Sequence, residues 1–419
     1  MGVAPPSQLH LFQADLGTAL DISSTATTAK CRRSTSKIFG VWSSFCHDHG
    51  HSCTLHNVLP ADRLSYLLVF GLRYRRGGQK GKPVRAGTVR DALSAIGKGF
   101  SDLDEPDPRL DSRTHKLHPV LHAFLRSMER ADDPASRAYP ANVTILRRLP
   151  RALDLDHPTL GPLQLHTIHL VTVAFFWLLR PAEYLLSPDS AESRSQAFHL
   201  CDVTFTIRGR ICPAPDAPLN DETGTPLCVG QFETAITCAS LTFSDQKNAV
   251  KGEQISQLPN ADPDLCPCKA LGCIIHHLLT HGASPTTPLY RFYNPALAKW
   301  SSIKPTYVTN ALRHAAASCQ AATGIVHSLL SVRSLRPGAA TALLCAQVDK
   351  DAIMLLGRWK SDAMLRYLRI QAMTPGFSQL MLTHGAYTFH PQAFREASLP
   401  NEAPPALHAI LAHEELYEE

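Results

Sequence analysis

The sequence predicts a mainly α-helical protein in two parts, of which the second carries a small antiparallel sheet. Apolar residues recur at three- and four-residue steps in several stretches between residues 26 and 130, as on amphipathic helices. Two stretches between residues 199 and 259 have instead the pattern of β-strands. We expect a disordered lead at residues 1–25, a helical domain at 26–130, a linker at 131–144, a second domain at 145–395 and an acidic tail at 396–419.

The first domain is predicted to contain four or five helices. Apolar residues keep helical spacing in residues 39–46, 64–72 and 89–96, and a last helix, LHPVLHAFLRSMER, ends near Arg130. Thr88 stands directly before VRDALSAI, where a threonine is a favourable N-cap. The third helix is therefore predicted to begin after Thr88.

The second domain is predicted to begin with a buried helix and then to form the sheet. The stretch PLQLHTIHLVTVAFFWLLRPAEYL is apolar almost all round, which is typical of a core helix. One strand is predicted in HLCDVTFTIRGR and two in FETAITCASLTFSDQKNAVKGEQISQLP, joined by a polar turn. From residue 267 onward the pattern is helical again, with helices at residues 307–318, 338–345, 351–356 and 362–373. Gly357 is predicted to end the third of these, and Ser361 to be the N-cap of the fourth.

Charge is concentrated in two places. The net charge is +5, and residues 63–90 hold eight Lys or Arg and no Asp or Glu. Such a run is either a surface for a polyanion or an ordinary solvated basic loop. The tail beyond residue 395 has the opposite character, with six Glu and no Lys or Arg.

The composition argues against several classes of protein. Twelve cysteines without regular spacing, in a chain of 419 residues, predict a reducing compartment rather than a disulfide scaffold. The chain lacks a signal-peptide pattern and a run of about 18 apolar residues, so we expect a protein that is neither secreted nor in a membrane, nuclear in a eukaryote and otherwise cytoplasmic. The segments CHDHGHSC and CPCKALGCIIHHLLTH contain zinc-ligand residue types without a standard zinc-site spacing, so no metal or other cofactor is expected.

The second domain also contains a series of cations followed by a tyrosine. In chain order these are Arg180 in LLRPAEYL, Lys247 in SDQKNAVKG, Arg333 and Arg336 in RSLRPGAAT, Arg358 in LLGRWKSD, and Tyr367 in MLRYLR. Taken singly, each has an ordinary explanation. Arg180 has a candidate ion-pair partner in Glu183, and Tyr367 stands on an apolar helical stripe.

Taken in this order and spacing, the series resembles the motifs of the tyrosine recombinase (integrase) family, which includes phage integrases and recombinases of eukaryotic mobile elements. The resemblance covers residues 26 to about 385, and Tyr367 follows Arg358 by the family's nine residues. It implies a helical, SAM-like core-binding domain and a mixed α+β catalytic domain with a small antiparallel sheet. It also implies double-stranded DNA as partner, an oligomer assembled on the DNA, and cleavage through a 3′-phosphotyrosyl intermediate.

The resemblance assigns roles to these residues. Arg180 and Arg336 would hold the non-bridging phosphate oxygens, Tyr367 would be the nucleophile, and Lys247, with Lys251 as the second choice, would be the general acid. Glu183 and Trp359 would support the site. The residues expected to contact DNA are Arg73, Arg75, Arg76, Lys80, Lys82, Arg85 and Arg90.

Two positions depart from the family pattern. Arg333 and Arg358 stand where the family usually has histidine, and arginine cannot act as a proton acceptor near neutral pH. Either the two arginines are extra phosphate donors and activity survives, or the chain is a decayed copy that binds DNA without cutting it. A type IB topoisomerase would use related chemistry, but the hairpin and the N-terminal domain favour an integrase.

Overall fold

The computed structural model describes residues 14–19, 28–78, 80–133, 139–186, 196–217, 220, 225, 228–244, 251–260, 262–361 and 365. These residues form mostly helices, together with two small antiparallel sheets, which confirms the predicted mainly α fold class. Their buried hydrophobic side chains form two clusters, one within residues 42–128 and one within residues 141–353. The four domain boundaries stay predictions.

The first cluster is built by four helices, in agreement with the apolar periodicity of that part of the chain. They are α1 (Ala29–Asp48), α2 (Pro60–Gly77), α3 (Ala86–Asp102) and α4 (Pro119–Arg130). Trp42 is fully buried in this cluster, with its ring centroid 5.3 Å from that of Phe70. Its indole N–H donates to the carbonyl oxygen of Cys53 at 2.8 Å, so the buried polar atom is satisfied.

The predicted start of the third helix is wrong. Helix α3 begins at Ala86, and its N-cap residue, Arg85, makes no side-chain cap hydrogen bond. The carboxylate of Asp132 accepts a hydrogen bond from the backbone N–H of Ala86 at 2.9 Å. It also forms an ion pair with Arg75 at 2.8 Å. A distant acid therefore satisfies a donor of the first turn, and the helix does not need Thr88 as its cap.

The second cluster is built mainly by helices and one sheet. The helices are α5 (Val143–Ala152), α6 (Gly161–Phe176), α7 (Pro181–Tyr184), α8 (Val229–Ala235), α9 (Pro267–Thr280), α10 (Pro305–Ala317), α11 (Gln320–Thr323), α12 (Leu335–Cys345) and α13 (Lys350–Gly357). Helix α6 is the predicted core helix, and most of its side chains are buried. The helix predicted at residues 362–373 lies outside the described residues, apart from residue 365.

The main sheet has four antiparallel strands in the order β2-β1-β3-β4. They are β1 (Val203–Ile207), β2 (Arg210–Pro213), β3 (Ile236–Phe243) and β4 (Glu253–Gln257). Strands β1, β3 and β4 confirm the three predicted strands. The hairpin between β3 and β4 closes where Phe243 pairs with Glu253 and the N–H of Gly252 donates to the carbonyl of Phe243 at 2.9 Å. Residues 245–250 of its turn lie outside the described part of the chain.

The expectation of continuous helix after residue 267 is wrong between α9 and α10. Strands β5 (Arg291–Asn294) and β6 (Lys299–Ser302) form a short hairpin there. Each strand has four residues, which is too short for a period of two to be recognised. The cross-strand pair of Tyr293 and Trp300, with ring centroids 5.6 Å apart, stabilises the hairpin.

No helix among the described residues is both long enough and apolar enough to span a bilayer.

Helix α12 packs closely against the segment that precedes α5. A Cβ atom built on Gly338 would lie 1.8 Å from the carbonyl oxygen of Ala141, and the N–H of Ala141 donates to the carbonyl of Ser334 at 3.0 Å. Glycine is therefore required at residue 338 by the close approach of two backbones.

We expect Gly338→Ala to lower the free energy of unfolding by about 1–3 kcal/mol, because the added methyl group forces the two backbones apart. Urea unfolding followed by circular dichroism measures the change. Gly230→Ala is the matched control, since a Cβ atom there meets nothing within 4 Å. If both variants unfolded at the same urea concentration, the close approach would have no energetic consequence.

Candidate active site

The candidate site is organised around the buried carboxylate of Glu183, whose side chain is only 2% exposed. The Nη1 atom of Arg180 donates to Oε1 at 2.7 Å, and the Nη2 atom of Arg358 donates to Oε2 at 2.9 Å. Two cations thus share one buried anion. The ion pair between Arg180 and Glu183 considered from the sequence is present, with a second arginine added to it.

The local sequence explains how Glu183 reaches both partners. Arg180 is the N-cap residue of the one-turn helix α7, and Pro181 occupies the first helical position, where its missing N–H is not needed. Glu183 is the third residue of that turn, and its Oε2 accepts a hydrogen bond from the backbone N–H of Arg180 at 2.7 Å. This is the acidic half of a capping box, so the R-P-A-E sequence fixes the carboxylate beside the arginine that precedes it.

Arg336 approaches the same region from helix α12. Its Nη1 donates to the carbonyl of Leu178 at 2.7 Å, and its Nη2 donates to the carbonyl of Gly357. Its guanidinium carbon lies 4.3 Å from the ring centroid of Trp359, in a cation–π contact. Arg336 is 5% exposed, so its guanidinium is held firmly below the surface.

Arg358 is buried more completely, with a side chain that is 0% exposed. Its Nη1 donates to the carbonyl of Trp177 at 3.1 Å, and its Nη2 lies 3.4 Å from the carbonyl of Leu178. Its guanidinium carbon is 3.8 Å from the centroid of the Phe243 ring, at the end of strand β3. Arg358 therefore joins the end of α6, the β3–β4 hairpin and Glu183.

The end of helix α13 differs from the prediction. Gly357 is still helical, and Arg358 is the residue in the left-handed conformation, with φ of 55°. The need for glycine at residue 357 is steric, because a Cβ atom there would lie 1.5 Å from the ring of Trp359. The left-handed turn at Arg358 directs the chain so that Arg358 and Trp359 both face the site.

Arg180, Arg336 and Arg358, hereafter the arginine cluster, are thus linked through shared acceptors. The carboxylate of Glu183 joins Arg180 to Arg358, and the carbonyl of Leu178 joins Arg358 to Arg336. Three segments far apart in the sequence therefore converge at the carboxyl end of helix α6. Three cations stand against the carboxylate of Glu183 and that of Glu253, whose charge also acts on Arg358, so the cluster still carries a positive charge.

Burial changes the proton affinity of Arg358. Desolvation lowers the pKa of Arg358 to about 10, the carboxylate of Glu183 opposes this shift, and the positive charge of Arg180 adds to it. Arg358 is still protonated at neutral pH, so it cannot accept a proton from a nucleophile there.

Arg333 is located differently from the arginine cluster. It lies in the short 3₁₀ turn Val332–Ser334, and its side chain is exposed. The hydroxyl of Tyr184 donates to the carbonyl of Val332 at 2.9 Å, which fixes this turn to helix α7. Arg333 is therefore held near the helix that carries Glu183, and its catalytic role stays a prediction.

Lys247 and Tyr367 lie outside the described residues, and their roles also stay predictions. The turn that contains Lys247 leaves the sheet at Phe243, the residue whose ring contacts Arg358. Lys251, the second choice for the lysine, is exposed just before strand β4.

Sequence reasoning did not find every group that builds the site. The carbonyls of Trp177 and Leu178 carry no side-chain signal, because any residue provides the same acceptor. Phe243 was recognised as part of a strand, but its contact with Arg358 depends on two segments that only the fold brings together. The sequence suggested Arg180 as the single partner of Glu183, whereas in the structure Glu183 also binds Arg358.

The basic segment of the first domain is partly neutralised. Arg75 is paired with Asp132 at 2.8 Å and is half-buried, and Arg90 forms an ion pair with Glu129. Arg73 contacts the Phe45 ring. Of the seven residues expected to contact DNA, six are exposed in the structure: Arg73, Arg76, Lys80, Lys82, Arg85 and Arg90.

The Cys- and His-containing segment at residues 46–53 has structural contacts. Burial raises the pKa of the Cys46 thiol to about 12, so it stays protonated. The Nε2 atom of His51 lies 2.7 Å from the Tyr66 hydroxyl. Across the part of the chain that the structure describes, no group of three or more His, Cys, Asp or Glu side chains has an arrangement that could hold a metal ion.

The chain is similar to solved structures of an integrase and of a recombinase. The Tn1549 transposon integrase in complex with circular intermediate DNA is 12% identical over 76% of this chain and 84% of that chain, with a TM-score of 0.39. The same integrase in complex with transposon right end DNA is 11% identical over 77% and 85%, with a TM-score of 0.39. XerA recombinase is 12% identical over 88% and 96%, with a TM-score of 0.31.

No protein-family model matches the chain, and no curated protein matches it. Because the identities are near 12% and the TM-scores are below 0.5, the similarities do not assign a function, which must rest on the arginine cluster itself.

We expect Arg358→Met to lower the free energy of unfolding by about 1–3 kcal/mol, because Glu183 loses one of its two cations and the carbonyl of Trp177 loses a hydrogen-bond donor. Urea unfolding measures the loss. The double variant Arg358→Met with Glu183→Gln is expected to recover part of it, since the carboxylate that has lost its hydrogen bond from Arg358 is then absent.

Arg333→Met is the matched control, because the same change at an exposed arginine should alter stability by no more than about 0.5 kcal/mol. Equal effects of Arg358→Met and Arg333→Met would show that the buried pair with Glu183 does not stabilise the fold.

Proposed function

We propose that this protein is a DNA strand transferase of the tyrosine recombinase kind, which cleaves and rejoins DNA through a 3′-phosphotyrosyl intermediate. The observation that carries the proposal is the convergence of the arginine cluster at the carboxyl end of helix α6. Positive charge at one place, supplied by planar guanidinium groups, suits the binding of a phosphodiester.

Arg180 is the member of the cluster that would meet a phosphate most directly. Its side chain is 24% exposed, whereas Arg336 and Arg358 are almost completely covered. A guanidinium has five N–H groups, and the hydrogen bond to Glu183 uses one of them. Arg180 can therefore bind a non-bridging oxygen while Glu183 holds its orientation.

Arg336 would be the second phosphate donor after a small local adjustment. Two of its N–H groups donate to the backbone carbonyls of Leu178 and Gly357, which fix the plane of the guanidinium. Together, Arg180 and Arg336 would neutralise the charge that develops on the two non-bridging oxygens in the transition state.

The reaction itself would be an in-line transesterification. The phenolate oxygen of Tyr367, whose proton would first pass to solvent, would form a bond to phosphorus; the bond from phosphorus to the 5′-oxygen would break, and Lys247 would give its proton to that leaving oxygen. The phosphotyrosyl ester keeps the energy of the broken bond, so the reverse attack by a 5′-hydroxyl rejoins the strand without a metal ion or ATP.

We assign Arg358 a positioning role in this reaction instead of a direct contact with phosphate. Its guanidinium is closed off by Phe243, Glu183 and the carbonyl of Trp177. It neutralises Glu183, which in turn orients Arg180. Arg333, which is exposed, is the better candidate for an additional phosphate donor.

Double-stranded DNA is the proposed partner, and an oligomer assembled on DNA is the proposed active form. The exposed basic positions on and after helix α2 support phosphate contacts, which make binding strongly dependent on salt. A DNA-binding protein without catalysis is the second candidate. It is favoured by the identity of Arg333 and Arg358, because neither can take the proton of the Tyr367 hydroxyl.

A nicked suicide substrate separates these two functions. We expect the unchanged protein to form a covalent DNA adduct that survives a denaturing gel, and Tyr367→Phe to abolish the adduct while the protein still retards DNA on a native gel. Arg180→Lys should lower the rate of adduct formation about 100-fold or more, because an ammonium cannot replace two guanidinium donors.

Tyr139→Phe is the control, since it removes an exposed phenol outside the site. It should form the adduct at the rate of the unchanged protein. DNA retention without any adduct in the unchanged protein would establish the second candidate, and an adduct in Tyr367→Phe would overturn the assignment of the nucleophile.

Salt dependence tests the DNA-binding surface. Replacing Arg76, Lys80 and Lys82 together by Ala is expected to weaken binding to all DNA sequences. It should also reduce the slope of log K against log salt by about 3, because each lost phosphate contact contributes ~0.9 to the slope. Fluorescence anisotropy at several salt concentrations measures both quantities.

The control variant replaces Lys116, Lys299 and Lys304, which are exposed elsewhere, by Ala and so removes the same net charge. Its slope should change by less than about 1. An equal change in both variants would mean that net charge, and not the surface formed by Arg76, Lys80 and Lys82, determines the affinity.

A further inference from the structure

A single hydroxyl group connects two parts of the candidate site. Tyr184 is the last residue of the one-turn helix α7, next to Glu183, and is only 1% exposed. Its hydroxyl donates to the backbone carbonyl of Val332 at 2.9 Å. Val332 is the first residue of the 3₁₀ turn that contains Arg333. The hydrogen bond therefore joins the helix that carries Glu183 to the turn that carries Arg333.

The same residue of the turn is also attached to helix α10. The backbone N–H of Val332 donates to Oγ1 of Thr309 at 3.4 Å, so side chains of two other helices bind both backbone polar groups of Val332. The far end of the turn is anchored at Ser334, whose carbonyl accepts a hydrogen bond from the N–H of Ala141 at 3.0 Å. The two ends of the turn are thus held by separate contacts, and Arg333 lies between them.

Tyr184 acts as a hydrogen-bond donor and not as a nucleophile. Burial raises the pKa of its hydroxyl well above the usual value for tyrosine, so the proton that the hydrogen bond requires is present at any pH at which the protein would work. A carbonyl oxygen can only accept, so the bond is lost when the hydroxyl is removed. With 1% exposure, the phenol does not reach a ligand at the surface.

The hydrogen bond also fixes one cation relative to another. Arg180 is the N-cap residue of helix α7 and Tyr184 is its last residue, so only one helical turn separates them. Arg333 is exposed, and its guanidinium has N–H donors that suit a phosphate oxygen. A displacement of the turn would change the distance between Arg333 and Arg180 without changing the charge of either.

We propose that Tyr184, assisted by Thr309, is a positioning residue that holds Arg333 where it binds a phosphate of the DNA backbone. Tyr184 does not touch the DNA and acts only through the position of the turn. The inference rests on the proposed function, because it takes DNA as the ligand of the site, but it does not require strand cleavage.

The salt dependence of DNA binding gives a test that a purely structural role would not affect. Tyr184→Phe keeps the ring and changes no charge, so the loss of the hydroxyl cannot by itself alter the number of counterions that binding releases. Arg333→Met should lower the slope of log K against log salt by about 0.9, the contribution of one phosphate contact. Tyr184→Phe together with Thr309→Val, which releases both attachments of Val332, should lower the slope by about the same amount. Fluorescence anisotropy with duplex DNA at several salt concentrations measures the slopes.

A double-variant cycle shows whether the effect passes through Arg333. In the Arg333→Met background, Tyr184→Phe should leave the slope unchanged, whereas in the Arg180→Lys background it should have its full effect. On the nicked suicide substrate, Tyr184→Phe should slow adduct formation about tenfold or more, because a displaced donor no longer meets the transition state. It should cause no further loss once Arg333 is replaced.

Tyr307→Phe is the matched control. It removes a phenolic hydroxyl that is hydrogen-bonded to the side chain of Gln164, on the helix that carries Thr309, and it leaves the contacts of Val332 in place. The slope and the rate of adduct formation should both stay as in the unchanged protein. Thr309→Val alone should lower the slope by a smaller amount, which keeps the test available if Tyr184→Phe does not fold.

The outcomes separate this inference from the proposed function. An unchanged slope in the folded variant with both Tyr184→Phe and Thr309→Val overturns the positioning role, as does an equal effect of Tyr184→Phe with and without Arg333. If the unchanged protein binds DNA and forms no adduct, strand transfer is wrong and the slopes still decide the role of Tyr184. A protein that does not bind DNA overturns both.

Discussion

A single buried carboxylate, that of Glu183, connects the parts of the candidate site. It is held between Arg180 and Arg358, and it also caps the first turn of helix α7 through the backbone N–H of Arg180. A buried carboxylate with one cation would be electrically neutral, but with two it leaves positive charge for a ligand. The same ion pairs that fix the geometry therefore create the charge that a phosphate would require.

The carboxyl end of helix α6 provides the second set of contacts. Leu178 adopts a left-handed backbone conformation, with φ of 51°, which is uncommon for a leucine and is maintained by its surroundings. Beyond the end of a helix the last carbonyls lack intrahelical partners, and they carry partial negative charge. Arg336 and Arg358 satisfy those of Trp177 and Leu178. The helix end thus gathers the guanidinium groups through contacts within the fold itself.

Arginine at residue 358 has a consequence for how the protein would respond to pH. A histidine there would gain or lose its proton near neutrality, whereas the buried guanidinium keeps its charge. Its contact with Phe243 also ties the arginine cluster to the hairpin whose turn contains Lys247. Arg358 is therefore better understood as part of the scaffold that orients Arg180 than as a group that exchanges protons.

The sequence alone determined the helical class, the core helix α6, the β3–β4 hairpin and the motifs around Arg180, Arg336 and Arg358, because each depends on periodicity or on neighbours a few residues away. Only the tertiary structure decided that Arg358 lies fully buried, that Asp132 replaces Thr88 at the start of α3, and that the carbonyl of Leu178 serves two arginines. These facts depend on contacts between segments far apart in the chain, and a backbone carbonyl or a distant carboxylate leaves no mark on the residues beside it in the sequence.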